Sequence, residues 1–117
     1  MSVYNEEAYI ESAIKSLLDQ TEQDFEIILF DDCSTDATTD IIESIKDKRI
    51  NLYKNIENCG LTQNLNKGLR LAKGKYIARM DGDDISLPER FEKQIKYFEE
   101  NPELMLISCQ TKNFGES

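Results

Sequence analysis

The stretch Phe25-Glu26-Ile27-Ile28-Leu29-Phe30-Asp31-Asp32 (residues 25–32) decides the fold of this 117-residue chain. Its compact apolar run predicts a short β-strand, and that strand ends at two adjacent carboxylates. In an open parallel sheet, ligands bind outside the carboxyl ends of the strands. The stretch therefore predicts a sheet and marks the edge at which a functional site is expected.

The segments around this strand alternate between strand and helix patterns. Short apolar runs predict three further strands, over 50–54, 75–80 and 104–109. Apolar residues at helical spacing predict helices over 7–19, 40–46, 61–72 and 88–100. This alternation predicts βαβ units and a three-layer α/β/α domain with a mostly parallel sheet.

Residues with special conformational roles stand near the ends of these helices. Asn5 and Asp36 belong to the residue types that cap helix N-termini, so we expect them to cap the first and second helices. Pro88 suits the first position of the fourth helix, where its missing N–H leaves no bond unmade. Gly74 follows the third helix, where a left-handed residue is favoured.

Charge is abundant and unevenly distributed. The chain has 23 acidic and 14 basic side chains and a formal net charge of −9, and residues 1–47 hold thirteen of the acids but only two bases. Nucleic-acid binding needs a basic face, and an anionic membrane repels an acidic surface. The composition therefore argues against a nucleic-acid partner, and we expect membrane association only through regions outside this chain.

The content of histidine and cysteine narrows the chemistry further. The chain has no histidine and three widely spaced cysteines, Cys33, Cys59 and Cys109. This composition excludes Ser-His-Asp and Cys-His catalysis, disfavours a zinc site and fits a reducing compartment, with the cysteines as small buried residues. Because neither a membrane-spanning run nor a leader peptide is visible, we expect a cytoplasmic location.

The segment Asp81-Gly82-Asp83-Asp84 follows the predicted strand over 75–80. Two carboxylates separated by a glycine can face one hard cation, Mg²⁺ or Mn²⁺, together with ligand phosphates. An isolated Asp-x-Asp is most often a solvated turn, but its position at a strand end favours a site. A calcium-binding EF-hand loop is excluded, because Ile85 and Ser86 occupy positions that need a ligand and a glycine.

Two other strand ends carry polar residues. Asp31 and Asp32 are both expected at the same edge of the sheet, although one of them can instead serve as a turn residue. Asn58 to Thr62 forms a turn before a helix and, with a single glycine, is not a phosphate-binding loop. Arg79 and Arg90 flank the segment Asp81–Asp84. Each arginine can either form an ion pair or contact a diphosphate, and the sequence does not decide between these roles.

Taken together, five motifs resemble glycosyltransferase family 2, whose members have the GT-A fold. They occur in the order of that family and span essentially the whole chain: Val3–Glu6, Phe25–Asp36, Asn58–Leu61, Gly74–Asp84 and Leu87–Arg90. Each motif alone is weak, and the ordered series is strong. The sequence departs from the family at Asn64-Leu65-Asn66, where many members carry Ala-Arg-Asn.

The resemblance implies a nucleotide-sugar site made by Val3, Tyr4, Glu6, Asp32, Gly60, Asp81, Gly82 and Asp83. In that site Tyr4 would lie against the base and Asp32 would accept a hydrogen bond from uracil. Asp83 would ligate Mn²⁺ or Mg²⁺, and Asp81 would contact the ribose or the metal. The general base of inverting members lies beyond residue 117, so no catalytic residue is assigned within this chain.

The function implied is inverting transfer of a hexose from a nucleotide-sugar, expected to be a UDP-sugar, to a glycan or lipid-linked acceptor. Bacterial polysaccharide assembly for the cell envelope, at the cytoplasmic face of the membrane, is its usual setting. Residues 1–117 would form one donor-binding domain, a truncated part of a longer glycosyltransferase. Two alternatives remain at this point, a receiver-like Mg²⁺-binding signalling domain and a non-catalytic α/β domain.

Overall fold

A computed structural model describes residues 1–114 of the chain. Within that range the strands are β1 (Ser2–Val3), β2 (Ile27–Asp31) and β3 (Ile50–Lys54). The helices are α1 (Ile10–Leu18), α2 (Thr38–Ser44), α3 (Leu61–Leu71) and α4 (Arg90–Glu100). From β1 to α3, strands and helices alternate along the chain as predicted.

The strands form a parallel sheet in the order β1-β2-β3, so β2 lies at its centre. Val3 pairs with Asp31, and Ile27 pairs with Ile50. All three strands therefore end at the same edge. The prediction of a parallel α/β fold is confirmed, and the apolar run at Ile27–Phe30 forms the central strand.

Helices cover both faces of the sheet. On one face, Leu29 of β2 packs into a buried core with Ile14 of α1 and Ile42 of α2. On the other face, Phe30 lies against α3, where a Cβ placed on Gly68 would be 3.5 Å from the Phe30 ring. Fully burying a side chain the size of leucine contributes about 1.5–3 kcal/mol. The helices are therefore held to the sheet mainly by apolar burial.

Several predicted helix boundaries differ from the structure. Helix α1 begins at Ile10 and has no side-chain cap, so Asn5 does not cap it as predicted. Asp36 lies one residue before Ala37, the cap position of α2, but its carboxylate accepts the N–H of Thr38, the first residue of that helix, at 2.9 Å. Pro88 precedes α4 instead of opening it, and its carbonyl accepts the Thr21 N–H at 2.8 Å.

The third helix also ends differently. Ala72 follows it in an extended conformation, and the positive-φ glycine of the described residues is Gly60, so the left-handed conformation predicted at Gly74 is wrong.

Two predicted strands, over 75–80 and 104–109, are absent from residues 1–114. In the first, the Tyr76 ring stacks on Phe98 of α4 with centroids 5.2 Å apart, which draws the segment towards the helix. Its neighbour in the sheet would be β1, which offers only two residues for pairing. In the second, Met105 is 95% exposed, because no neighbouring strand or helix covers it within the described residues.

None of the helices within residues 1–114 combines the length and the apolar character that crossing a membrane requires. The last residues of the predicted domain, 115–117, lie outside the described range.

Candidate functional site

A cleft of about 360 Å³ lies at the carboxyl ends of β1 and β2. It is lined by Ser2, Val3, Tyr4, Glu6, Asp32, Asn58, Gly60, Leu61, Asp81, Gly82 and Asp83. Every residue that the sequence assigns to a nucleotide-sugar site is among them. Ser2, Asn58 and Leu61 are additional. Asn58 lies in the predicted turn before α3, and Leu61 is the first residue of that helix.

The two aspartates after the central strand occupy different surroundings. Asp31 faces the α2 side, where its carboxylate accepts hydrogen bonds from the Ser34 N–H, at 3.1 Å, and from the Thr39 hydroxyl. Asp32 faces the β3–α3 turn and lines the cleft. Asp31 is therefore the structural turn residue that the sequence allowed for one member of the pair, and it does not line the cleft. The adjacent pair does not form the two-carboxylate metal site that a receiver-like domain would need.

Asp32 is 3% exposed and holds the turn that leads into α3. Its Oδ1 accepts hydrogen bonds from the Cys59 N–H and the Asn55 amide, both at 2.8 Å, and its Oδ2 accepts one from the Gly60 N–H at 2.9 Å. Burial by itself would raise the pKa of Asp32, but hydrogen bonds from the N–H groups of Cys59 and Gly60 and from the amides of Asn55 and Asn64 lower it to about 2.

A buried asparagine extends this network to β1. Asn64 of α3 is fully buried; its Oδ1 accepts a hydrogen bond from Asn55 at 2.8 Å, and its Nδ2 donates to the Ser2 hydroxyl at 3.0 Å. Sequence reasoning recorded Asn64 only as a departure from the family pattern. The available signal was an amide on a helix whose neighbouring positions, Leu61 and Leu65, are apolar.

The loops after β1 and β2 are joined by hydrogen bonds across the cleft rim. Asn5 has a φ of 51°, and its side-chain oxygen accepts the Thr35 N–H at 2.8 Å. The Glu6 N–H donates to the Thr38 hydroxyl at 2.8 Å, and Asp36 accepts the Thr38 N–H at 2.9 Å. Asn5 and Asp36 thus fix two loops to each other and to the start of α2.

Gly82 allows the Asp81–Asp83 loop to lie against β1. A Cβ placed on Gly82 would lie 2.6 Å from Cγ1 of Val3, which is closer than real side chains approach. The family resemblance places this glycine in the nucleotide-sugar site. The structure also gives a steric reason for it, because only a glycine fits between the loop and Val3.

Negative charge is concentrated at the cleft. The pKa of Glu6 is raised, first by burial and then by the nearby carboxylates of Asp83, Asp36 and Asp81. Arg79 forms an ion pair with Asp81 at 3.4 Å, which offsets part of this charge.

The two arginines that flank the loop have different partners. Arg79 makes the ion pair with Asp81, and Arg90 donates to the Arg79 carbonyl at 3.1 Å. Of the two roles that the sequence allowed for these arginines, Arg79 therefore has the first, an ion pair.

The acidic side chains fit a hard divalent cation only in part. Within residues 1–114, no group of three histidine, cysteine or acidic side chains is arranged to hold a metal ion on its own. Mg²⁺ and Mn²⁺ are commonly bound by one or two carboxylates, with water and substrate phosphates as the other ligands. Asp83 and Asp81 match this donor set, provided that an oxygen-rich ligand completes the coordination.

The cysteines are free thiols of varied exposure. Cys33 and Cys59 are half-buried and flank the Asp32 region, whereas Cys109 is exposed. The expectation that all three are small buried residues is therefore wrong, most clearly for Cys109, which follows the uncovered segment around Met105.

Comparison with known proteins gives consistent matches. The family model for glycosyl transferase family 2 matches residues 1–117. The chain is 44% identical over 111 residues to an uncharacterized glycosyltransferase of Methanocaldococcus jannaschii, covering 92% of this chain and 38% of that protein. It is 41% identical over 99 residues to the Escherichia coli protein named UDP-Glc:alpha-D-GlcNAc-diphosphoundecaprenol beta-1,3-glucosyltransferase WfaP, covering 85% of this chain and 39% of that protein.

Among solved structures, the fold is similar to the crystal structure of S. aureus TarS 1–349 in complex with UDP. The TM-score is 0.79 at 30% identity, and the match covers 86% of this chain and 31% of TarS 1–349. The chain thus spans about two fifths or less of the length of each of these proteins.

Proposed function

The chain belongs to glycosyl transferase family 2 and has the GT-A fold, and on that premise we propose that its cleft binds the nucleotide of a nucleotide-sugar donor. One observation carries this proposal. The residues that the family resemblance assigns to donor binding come from four separate parts of the chain, and all of them line the same cleft. In a non-catalytic domain these residues would serve only as helix caps and turn residues, and they would not need to lie in one cleft.

The base and ribose would lie between β1 and the β3–α3 turn. Tyr4 is 48% exposed at the cleft, so its ring is available to stack on a base. Asp32 lines the cleft as an ionised carboxylate, an acceptor of the kind that the imide N–H of uracil needs. These features support UDP as the nucleotide, in line with the UDP named for the TarS complex.

The diphosphate would lie at the Asp81–Asp83 loop with Mn²⁺ or Mg²⁺. A bare diphosphate is repelled by the carboxylates of Glu6, Asp81 and Asp83, so a cation is needed between them. Asp83 would ligate that cation, while Asp81, which is shared with Arg79, would ligate it or contact the ribose. When bound, the metal would neutralise the negative charge that develops on the departing nucleoside diphosphate.

For the whole protein we propose inverting transfer of a hexose to a glycan or lipid-linked acceptor, in assembly of cell-envelope polysaccharide at the cytoplasmic face of the membrane. Residues 1–117 would act as one donor-binding domain. The general base would come from outside these residues, since none of them matches it.

The test is calorimetric titration of UDP with and without Mn²⁺. We expect binding that depends on Mn²⁺ in the wild-type protein and is lost in Asp83→Ala. The matched control is Asp84→Ala, which removes a neighbouring exposed carboxylate that does not line the cleft. If a folded wild-type protein does not bind UDP, or if Asp84→Ala abolishes binding as fully as Asp83→Ala does, the proposal is wrong. GDP and CDP in place of UDP test the choice of base.

A further inference from the structure

Gln20, just after α1, is 1% exposed although its side chain is polar. We propose that Gln20 is a positioning residue for the Asp81–Asp83 loop, and through that loop for the metal and the donor diphosphate. Hydrogen bonds show that Gln20 contacts the segment that follows this loop. Only the identity of the bound metal and diphosphate rests on the proposed function.

The Gln20 amide joins the end of α1 to the segment that follows the loop. Its Nε2 donates to the Leu87 carbonyl at 2.8 Å and to the Ser86 hydroxyl at 3.1 Å, and its Oε1 accepts the Phe91 N–H at 3.1 Å. Ser86 is 4% exposed, and its own N–H donates to the Ser16 hydroxyl at 2.9 Å. Ser86 is therefore held on two sides by residues of α1 and its C-terminal end.

The loop is anchored before and after Asp83. Before it, Met80 is buried in the core and Gly82 lies against Val3. After it, Ser86 is bound by Gln20. Asp83 itself is exposed, so its position depends on the two anchors and not on burial of its own side chain. Loss of the second anchor would leave the carboxylate connected to the core from one side only.

The same amide also completes the start of α4. The first N–H groups of a helix have no partner within the helix, and α4 has no side-chain cap of its own. Gln20 supplies an acceptor to one of them, at Phe91. One buried side chain thus fixes the end of the loop segment and the beginning of the next helix, and both contacts would be lost together.

The decisive variant is Gln20→Met, which keeps the length of the side chain and removes both its donor and its acceptor. Electron paramagnetic resonance measures Mn²⁺ binding in the presence of UDP, and hydrogen exchange of the ligand-free protein measures protection of residues 81–87. We expect Mn²⁺ affinity to fall about tenfold or more, as is typical for residues that support metal ligands. We also expect faster exchange in that segment.

The control for a general loss of stability is Ile42→Ala, which truncates a buried residue of α2 on the core side of the sheet. It should lower the Tm while keeping Mn²⁺ affinity and the protection of residues 81–87. If Gln20→Met does not fold, Ser86→Ala removes only the hydroxyl that Gln20 binds and should change the same two measurements in the same direction.

The two proposals fail in different ways. If the wild-type protein shows no Mn²⁺-dependent UDP binding, the proposed function fails, and hydrogen exchange still decides whether Gln20 holds the loop. If the wild-type protein binds and the Gln20 variant keeps its Mn²⁺ affinity and its slow exchange, the positioning role is overturned. An equal loss of affinity in Ile42→Ala overturns it as well.

Discussion

Asp31 and Asp32 are adjacent in the chain, yet their carboxylates accept hydrogen bonds from turns on opposite sides of the sheet. Asp31 holds the β2–α2 turn through Ser34, and Asp32 holds the β3–α3 turn through the N–H groups of Cys59 and Gly60. Successive side chains of a strand point to opposite faces, so the strand itself separates the two roles.

The first prediction concerns ligand binding by this pair. Asp31→Asn should keep UDP affinity within about threefold, because its carboxylate faces away from the cleft. Asp32→Asn should weaken UDP binding about tenfold or more, equivalent to about 1.4 kcal/mol. An amide cannot accept all three of the hydrogen bonds that shape the turn. Calorimetry with UDP and Mn²⁺ measures both, and the reverse order of effects would contradict the assignment of faces.

The second prediction concerns stability and pH. Asp32→Asn should lower the free energy of unfolding at pH 7 by about 1.5–3 kcal/mol, the range for hydrogen bonds to a charged group. The pKa of Asp32 is lowered from 3.8 to about 2 in the folded protein. Its contribution is therefore present above the unfolded value and is lost as the pH falls through the folded value.

The measurement is denaturant unfolding of both proteins from neutral pH down to pH 2. The difference between wild type and Asp32→Asn should shrink between about pH 4 and about pH 2, where the carboxylate gains its proton. Asp24→Asn is the control, because Asp24 is an exposed acid before the same strand. A difference that stays constant over this range would show that Asp32 does not act through its charge.

The third prediction concerns Gly82. Gly82→Ala should destabilise the fold by about 1–3 kcal/mol, because the new Cβ would lie 2.6 Å from Cγ1 of Val3 and must displace it. It should also weaken Mn²⁺-dependent UDP binding, since the loop moves away from β1.

Two further variants separate this clash from a general effect of alanine. Gly68→Ala, in the interior of α3, meets the Phe30 ring at an ordinary 3.5 Å and should be neutral or stabilising. In a double-mutant cycle, Val3→Ala should recover part of the stability lost in Gly82→Ala, because it removes the methyl group responsible. Purely additive losses would rule out this contact as the cause.

Much of the fold follows from the sequence, because local patterns carry it. The apolar run at Ile27–Phe30 is the central strand, and the amphipathic spacing of Leu61–Leu71 gives a helix within one residue of its predicted end. The failures lie where tertiary contacts decide. Residues 75–80 have the composition of a strand, but Tyr76 stacks on Phe98, and β1 offers little backbone to pair with.

The cleft was predictable in its membership but not in its internal contacts. The position of Asp32 follows from the rule that strand ends of a parallel sheet meet at one edge. The same rule predicted Asp83 at this edge, but residues 75–80 form no strand, and the loop reaches the cleft through the contact of Gly82 with Val3. The partners of Gln20 and Asn64 did not follow, because buried amides bind groups that are distant in sequence. The partner of Gln20 at Ser86, for example, is 66 residues away.

The last prediction concerns Glu6, whose pKa is raised by burial first and then by Asp83, Asp36 and Asp81. A raised pKa means that the folded protein holds the proton more tightly than the unfolded chain, so ionisation of Glu6 reduces stability as the pH rises through its pKa. Glu6→Gln should therefore raise the Tm at pH 7. It should lose this advantage as the pH falls below 4.5, the pKa of the unfolded chain, because the carboxyl group then becomes protonated in both states. Thermal unfolding without metal measures the effect, and Glu99→Gln, an exposed change on α4, should not alter the pH dependence.

Addition of Mn²⁺ with UDP should reverse the order of the two Tm values, so that the wild-type protein becomes more stable than Glu6→Gln, because a cation between the carboxylates favours their ionised form. A Glu6→Gln protein that gains no stability at pH 7 would show that the cleft carboxylates do not repel one another enough to require a cation.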